Sequence, residues 1–321
     1  MSTNDPIRAV LFDLGYTLIN FEGNFSRVMR ESYLVLAASL QEAGYSIDAG
    51  AFADRFNDII TEYYRSREED MTERPIEHYL SRVLASYEIY DPLRNVIQSS
   101  LEKMYRFTEE YWQLEEDTIS TLDQLKADGY RLGMITNAAN PDNANRLIDR
   151  CGLRPYFEVI LISAVEKIRK PDTRIYSRAI SRFDLPPSGV AMVGDTLTAD
   201  ILGAQNAGIR AIWINRRADR AENLSVMDKI VPDAVIETLA QLSEALDAGV
   251  GMVLLDNMGL SQLHEAVQLN AGRAILEVSG GVNLSSVRAI ASTGVDRISI
   301  GTLTKDIQAV DFSMRFATEP L

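Results

Sequence analysis

Apolar and polar positions divide the chain into three stretches of different texture. It opens on the run Ile7-Arg8-Ala9-Val10-Leu11-Phe12, which stops at Asp13. A short apolar run ended by Asp13-Leu14-Gly15 reads as a buried strand with a loop at its carboxyl end. From about residue 25 to 111 apolar residues recur at three- and four-residue spacing. They predict four amphipathic helices over 26–43, 51–67, 76–87 and 92–112, with Pro75 and Pro92 near two of the starts. Shorter elements then alternate: helix 118–128, strand 131–135, helix 143–150, strand 157–162, helix 173–183, strand 189–193, helix 200–207 and strand 211–214. The polar stretch 216–229 reads as a surface loop, and 233–246 as a last short strand and helix. Such alternation predicts an α/β fold with right-handed crossovers and a mostly parallel sheet. The four helices are then an insertion after the first strand. Past residue 246 the alternation restarts, with strands at 252–255, 274–278 and 297–300, helices at 260–270 and 284–292, and a final alternating run at 311–316.

Open parallel sheets bind ligands at the carboxyl ends of their strands. The residues expected there are Asp13, Gly15, Thr136, Asn137, Lys170 and Asp195, with Asp200 just beyond. Clustered carboxylates repel unless a hard cation sits among them, and Mg²⁺ with oxygen ligands suits such a set. Lys170 and Thr136 can then neutralise and hydrogen-bond a phosphate. Asp13 is left as a carboxylate nucleophile, able to form a covalent aspartyl-phosphate. Blander readings stand beside these: Asp200 as a helix N-cap, Asn137 as a turn former, and the tyrosines of the helical insertion as packing residues.

Composition narrows the partners. Among 321 residues, 32 Lys and Arg against 46 Asp and Glu give a net charge of −14, with no local basic patch, which argues against nucleic acid. The single cysteine, Cys151, forbids an internal disulfide and fits a reducing cytosol. No signal peptide or apolar run of spanning length is evident, so a cytoplasmic protein away from membranes is expected. Two histidines, His78 and His264, are too few for a histidine-rich metal site.

From about residue 7 to 245 the chain resembles the haloacid dehalogenase-like superfamily. The matching stretches are Leu11-Phe12-Asp13-Leu14-Gly15-Tyr16-Thr17-Leu18, Ile135-Thr136-Asn137, Arg169-Lys170-Pro171-Asp172, Val193-Gly194-Asp195-Thr196 and Asp200-Ile201-Leu202-Gly203-Ala204, in order. The resemblance implies a Rossmann-like core over 1–20 and 115–246 and a helical cap over 21–114. It implies Asp13 as nucleophile, Thr136, Asn137 and Lys170 as phosphate contacts, and Mg²⁺ held by Asp13, the Gly15 carbonyl and Asp195, with Asp200 behind them. One departure concerns proton transfer. Phosphatases of this superfamily usually carry an aspartate two residues after the nucleophile, acting as general acid and base, and here Gly15 stands there. Dehalogenases place a tyrosine at that position and use no metal, whereas Tyr16 is one residue later and the metal carboxylates are kept. Phosphonate-cleaving members need a cap lysine, and the cap offers only Lys103, in its last helix.

Residues about 243–318 resemble the C-terminal part of nicotinate-nucleotide pyrophosphorylase, the quinolinate phosphoribosyltransferase. The matching stretches are Leu254-Leu255-Asp256-Asn257-Met258, Leu276-Glu277-Val278-Ser279-Gly280-Gly281-Val282-Asn283 and Ser299-Ile300-Gly301-Thr302. This implies that 247–321 form a partial β/α-barrel segment. Asp256 would lie near a phosphoribosyl group, and Ser279, Gly280, Gly281, Gly301 and Thr302 would hold a phosphate. Glycines between a strand and a helix let backbone N–H groups approach an anion. The segment lacks that enzyme's N-terminal domain and half its barrel, so a complete transferase site is not expected. Three functional readings follow. The first is a Mg²⁺-dependent hydrolase of a small phosphorylated metabolite, the second a non-catalytic phosphate-binding protein on the same fold, and the third a phosphoribosyltransferase-related role of the tail. A barrel fragment leaves open edges and an apolar face, which predicts a homodimer through 247–321.

Overall fold

The computed structural model describes residues 7–243, 252–256, 258–270 and 275–300. The chain divides into two compact units, 1–249 and 250–321.

In the first unit six parallel strands form one sheet in the order β5-β4-β1-β6-β7-β8. Strand β1 (Ala9–Phe12) lies centrally, between β4 (Arg131–Thr136) and β6 (Val190–Gly194). It pairs Ala9 with both Arg131 and Val190. Strands β5 (Val159–Ile162), β7 (Arg210–Ile214) and β8 (Ala234–Ile236) complete the sheet. Side-chain alternation splits β1 between two cores. Val10 and Phe12 pack with Leu122, Leu125, Leu147 and Ile148 of helices α5 (Thr118–Ala127) and α6 (Pro141–Arg150). Ala9 and Leu11 pack with Ile175, Tyr176, Ala179 and Phe183 of the helix Thr173–Phe183. A sheet covered on both faces explains why its strands read as continuous apolar runs.

The insertion is a separate helical core. Helices α1 (Phe25–Glu42), α2 (Ala49–Asp70), α3 (Ile76–Ala85) and α4 (Arg94–Glu109) bury Tyr33, Leu36, Phe52, Phe56, Leu80 and Leu101 among themselves. The Asn24 and Asp48 side chains cap α1 and α2, accepting from the Arg27 and Ala51 N–H groups. One boundary differs from the sequence reading. The expected helix 92–112 ends at Glu109, and Trp112–Leu114 forms strand β3, antiparallel to β2 (Ile19–Phe21). These two strands are the chain's paired crossings between core and cap. The pairing Phe21↔Trp112 is non-local, which is why helical periodicity could not show it.

In the second unit β9 (Met252–Asp256), β10 (Ile275–Ser279) and β11 (Arg297–Ile298) form a parallel sheet in the order β11-β10-β9, with helices Leu260–Asn270 and Val287–Ala291. Leu255, Leu263, Leu276 and Val278 form its core. Asp256 and Ser279 end their strands, and Gly280 and Gly281 follow with φ of 86° and 62°, conformations that favour glycine. Gly301, Thr302 and the run 311–316 lie outside the described residues.

Candidate active site

The sheet topology brings the predicted residues together. Asp13 follows β1, Thr136 ends β4, Asp195 follows β6, and Asp200 lies in the π-helical turn Leu197–Leu202. Lys170 joins them from the loop before the helix Thr173–Phe183. Its ammonium, almost fully buried, donates to Asp13 Oδ1 at 2.7 Å and to Asp200 Oδ1 at 2.6 Å. Burial opposes that charge, but the two carboxylates outweigh it and raise the Lys170 pKa. Asp200 also accepts the Thr196 N–H, at 3.0 Å on Oδ2, so both of its oxygens are committed. Its close packing depends on Gly194, where an added Cβ would lie 2.3 Å from the Asp200 carboxyl carbon. The Asn137 side chain is spent on the Lys170 backbone, accepting from its N–H at 2.9 Å and donating to its carbonyl at 3.0 Å.

Asp13, Asp195 and Asp200 each offer a carboxylate oxygen within 4.8 Å of the others. Burial, offset by Lys170 and reinforced by Asp200, pushes the Asp13 carboxyl up to about 6. Burial with the neighbouring Asp200 and Asp13 pushes Asp195 up to about 7, against the pull of Arg220 and Lys170. Two or three crowded, desolvated carboxylates of this kind fit a hard divalent cation, because only added positive charge keeps them ionised together.

The stretch 216–229, expected to be a surface loop, contributes to the site instead. Arg220 pairs with Asp195 and Glu222, and its guanidinium lies 4.1 Å from the centre of the Tyr16 ring. Asn223 is fully buried. It accepts the Leu197 N–H at 2.8 Å and donates to the Asp195 carbonyl at 2.9 Å, where Trp213 Nε1 also donates at 2.9 Å. Arg216 and Arg217 pair with Glu115, and Arg216 also with Asp117. Polar composition hid this role, since none of these residues falls at a strand end or at regular spacing. Glu73 was missed too. This buried carboxylate, between α2 and α3, accepts from Tyr63 Oη at 2.6 Å and Ser163 Oγ at 3.0 Å, and lies 3.3 Å from Arg169 Nε. It ties the cap to the loop that carries Lys170.

Cap and core enclose a cavity of about 780 Å³, lined on the core side by Asp13, Thr136, Lys170, Asp195, Asp200 and Arg220. Gly15 faces the cap at this point. A Cβ there would meet the Trp112 ring at 3.6 Å, ordinary contact distance.

Residues 7–208 match the family described as haloacid dehalogenase-like hydrolase. The chain belongs to that family. Residues 211–315 match a second family, the C-terminal domain of quinolinate phosphoribosyl transferase. That match begins within β7, a strand of the six-stranded sheet. Among similar proteins is the glyceraldehyde 3-phosphate phosphatase of Methanothermobacter thermautotrophicus, 38% identical over 130 residues, 40% of this chain and 57% of that one. The match thus spans little more than half of that relative's length. The N-acylneuraminate-9-phosphatase of Rattus norvegicus is 27% identical over 249 residues, 77% of this chain and 97% of that one. Among solved structures, a haloacid dehalogenase-like phosphatase from Thermococcus onnurineus shares 26% identity with a TM-score of 0.54, covering 75% of this chain and 98% of that one. A 2-haloacid dehalogenase from Pseudomonas syringae pv. Tomato DC3000 shares 29% identity with a TM-score of 0.55, over the same shares of the two chains. Among the described residues, no helix is long and apolar enough to cross a membrane.

Proposed function

We propose that this hydrolase is a Mg²⁺-dependent phosphatase of a small phosphorylated metabolite, working through an aspartyl-phosphate on Asp13. The observation that carries this reading is the buried cluster in which Lys170 bridges Asp13 and Asp200 while Asp195 stands within metal-sharing distance. The phosphatase names of the relatives agree with it. Asp13, Asp195 and the Gly15 carbonyl would hold the cation, which supplies charge to keep the carboxylates ionised and to balance the phosphoryl group.

The chain's own groups account for the rest. Asp13 attacks phosphorus, a carboxylate–phosphorus bond forms, and the bond from phosphorus to the substrate oxygen breaks, the leaving alkoxide taking its proton from solvent water. Lys170 and Thr136 hold the phosphoryl oxygens. Asp200 holds the Lys170 ammonium in place, and Arg220 and Asn223 fix Asp195. Water then attacks the acyl phosphate, releasing phosphate and restoring Asp13. The test is hydrolysis of a panel of phosphomonoesters with Mg²⁺ and with EDTA, and turnover is expected only with the metal. A second reading, phosphate binding without turnover, is favoured by Gly15 alone and is separated by the same panel.

Gly15 removes the side chain that would protonate the leaving alcohol. Such general acid help is worth about 10²- to 10⁴-fold. Gly15→Asp is therefore expected to raise turnover of alkyl phosphates more than of nitrophenyl phosphate, whose leaving group needs no proton. The Trp112 ring leaves room for the first carbon of that side chain. Equal gains on both substrate types would count against the missing-acid explanation.

The tail supports a further part of the proposal, a homodimer through residues 247–321. Leu254 on β9 and Ile275 on β10 share a face with Glu277 and are 57% and 38% exposed, and exposed apolar side chains on an open parallel sheet favour coverage by a second copy. Sedimentation at micromolar concentration should show a dimer for the full chain and a monomer after deletion of that tail. A full-length monomer would remove this element.

A further inference from the structure

The two halves of the active-site cavity differ sharply in chemistry. Among the described residues, the charged groups lining it come from the core: Asp13, Arg169, Lys170, Asp195, Asp200, Arg220 and Glu222. Arg169 is paired with Glu73 and Arg220 with Asp195, so neither is a spare cation. Among the described residues the cap contributes aromatic and aliphatic groups, among them Phe25, Met29, Tyr33, Ile60, Met104 and Tyr105, and no Lys, Arg, Asp or Glu. Two of these side chains are unusual for a packing surface. The Tyr33 and Tyr105 hydroxyls have no hydrogen-bond partner among the described residues, whereas that of Tyr63 is committed to Glu73. Burial keeps both phenols protonated, and therefore donors as well as acceptors.

The phosphoryl end of a substrate is fixed by the core, so the cap half receives the alcohol portion. A carboxylate or ammonium on that portion would lose its water there without gaining a partner. A flat ring would instead bury apolar area against tyrosine faces and offer ring heteroatoms to the two free phenols. About 780 Å³ suits a ligand of nucleotide size, because ligand cavities run from about 300 to 1,000 Å³.

We infer that the cap half of the cavity selects an uncharged heteroaromatic alcohol portion. The substrate class is then a heteroaromatic phosphomonoester such as a nucleoside 5′-monophosphate, rather than a phosphorylated carboxylic acid. This rests on the phosphatase reading above. Tyr33 and Tyr105 are the specificity-determining residues.

The test uses the full chain with Mg²⁺ and three probes: uridine 5′-monophosphate, phosphoglycolate, and acetyl phosphate, which carries no ring and reports the chemistry alone. Binding of the first two to Asp13→Asn is measured in parallel by equilibrium dialysis. Stacking of one base on an aromatic side chain is worth about fivefold to a hundredfold, so uridine monophosphate is expected to exceed phosphoglycolate by about tenfold or more in kcat/KM and in affinity. Tyr33→Phe and Tyr105→Phe keep the rings and remove the hydroxyls, and each should raise the nucleotide KM several-fold. Equal or better handling of phosphoglycolate in turnover and binding would overturn the inference. If acetyl phosphate is untouched while the nucleotide still binds selectively, the cap inference stands and the phosphatase reading falls.

Discussion

Asp13→Asn is expected to abolish metal-dependent phosphomonoester hydrolysis while leaving the fold intact. Asparagine matches aspartate in size, so the packing beyond β1 is kept, and the Asp13 N–H bond to the Val193 carbonyl, at 3.0 Å, is unaffected. What changes is charge and nucleophilicity. The amide cannot attack phosphorus, and it removes one of the three carboxylates that lie within 4.8 Å of one another. Lys170 keeps Asp200, at 2.6 Å, as its partner, so its charge remains buried but compensated. Loss of a covalent nucleophile costs at least about 10³ in kcat, whatever the leaving group. The assay is release of phosphate from acetyl phosphate at saturating Mg²⁺, with circular dichroism melting as the control for folding. A variant within about tenfold of the parent would take the nucleophilic role away from Asp13.

Most of this site was legible because it is made of strand ends. With 7–12, 131–135 and 189–193 read as buried parallel strands, their carboxyl ends have to meet, and Asp13, Thr136 and Asp195 with them. Lys170 is expected at a strand end with Asp200 just beyond; the structure carries Lys170 on the loop before the helix Thr173–Phe183 and still brings both onto the same cluster. Arg220 and Asn223 were hidden for a physical reason. They reach Asp195 across a loop with no periodicity, and a polar residue that is buried by tertiary contact looks like a solvated one in the sequence. Trp112 falls within the helix expected over 92–112 because its apolar spacing continues that of α4. Only its pairing with Phe21, ninety-one positions earlier by sequence number, makes it a strand. The tyrosines of the cap sit at helical spacing, as packing residues do. Whether such a hydroxyl is bonded, as in Tyr63, or left over, as in Tyr33 and Tyr105, depends on partners that spacing does not encode.

Lys170→Met should give the largest loss of stability of any single change in the site, and that loss should depend on pH. The ammonium is held between two carboxylates, with 2% of its side chain exposed. Methionine fills similar volume and removes the charge that bridges Asp13 and Asp200. Removing one partner of a buried ion pair costs about 3–5 kcal/mol, because the remaining charge is left uncompensated. For a unit of this size that corresponds to a fall in Tm on the order of 10 °C. Protonation relieves the cost. Asp13 and Asp195 already titrate above their ordinary value of 3.8, at about 6 and about 7, with burial as the main cause. A carboxyl whose folded pKa is raised contributes stability that is complete below its unfolded pKa and is lost as pH rises through the folded value. The metal-free parent should therefore lose Tm between pH 5 and pH 8. Without the Lys170 charge to lower it, the Asp13 pKa rises further, so the variant should lose more over the same range. Melting in EDTA at pH 5 and pH 8 measures both. The expected result is a small gap between parent and variant at pH 5 that widens to the full deficit at pH 8. A gap independent of pH would mean that Lys170 stabilises the fold by packing alone, and not by holding two buried carboxylates ionised.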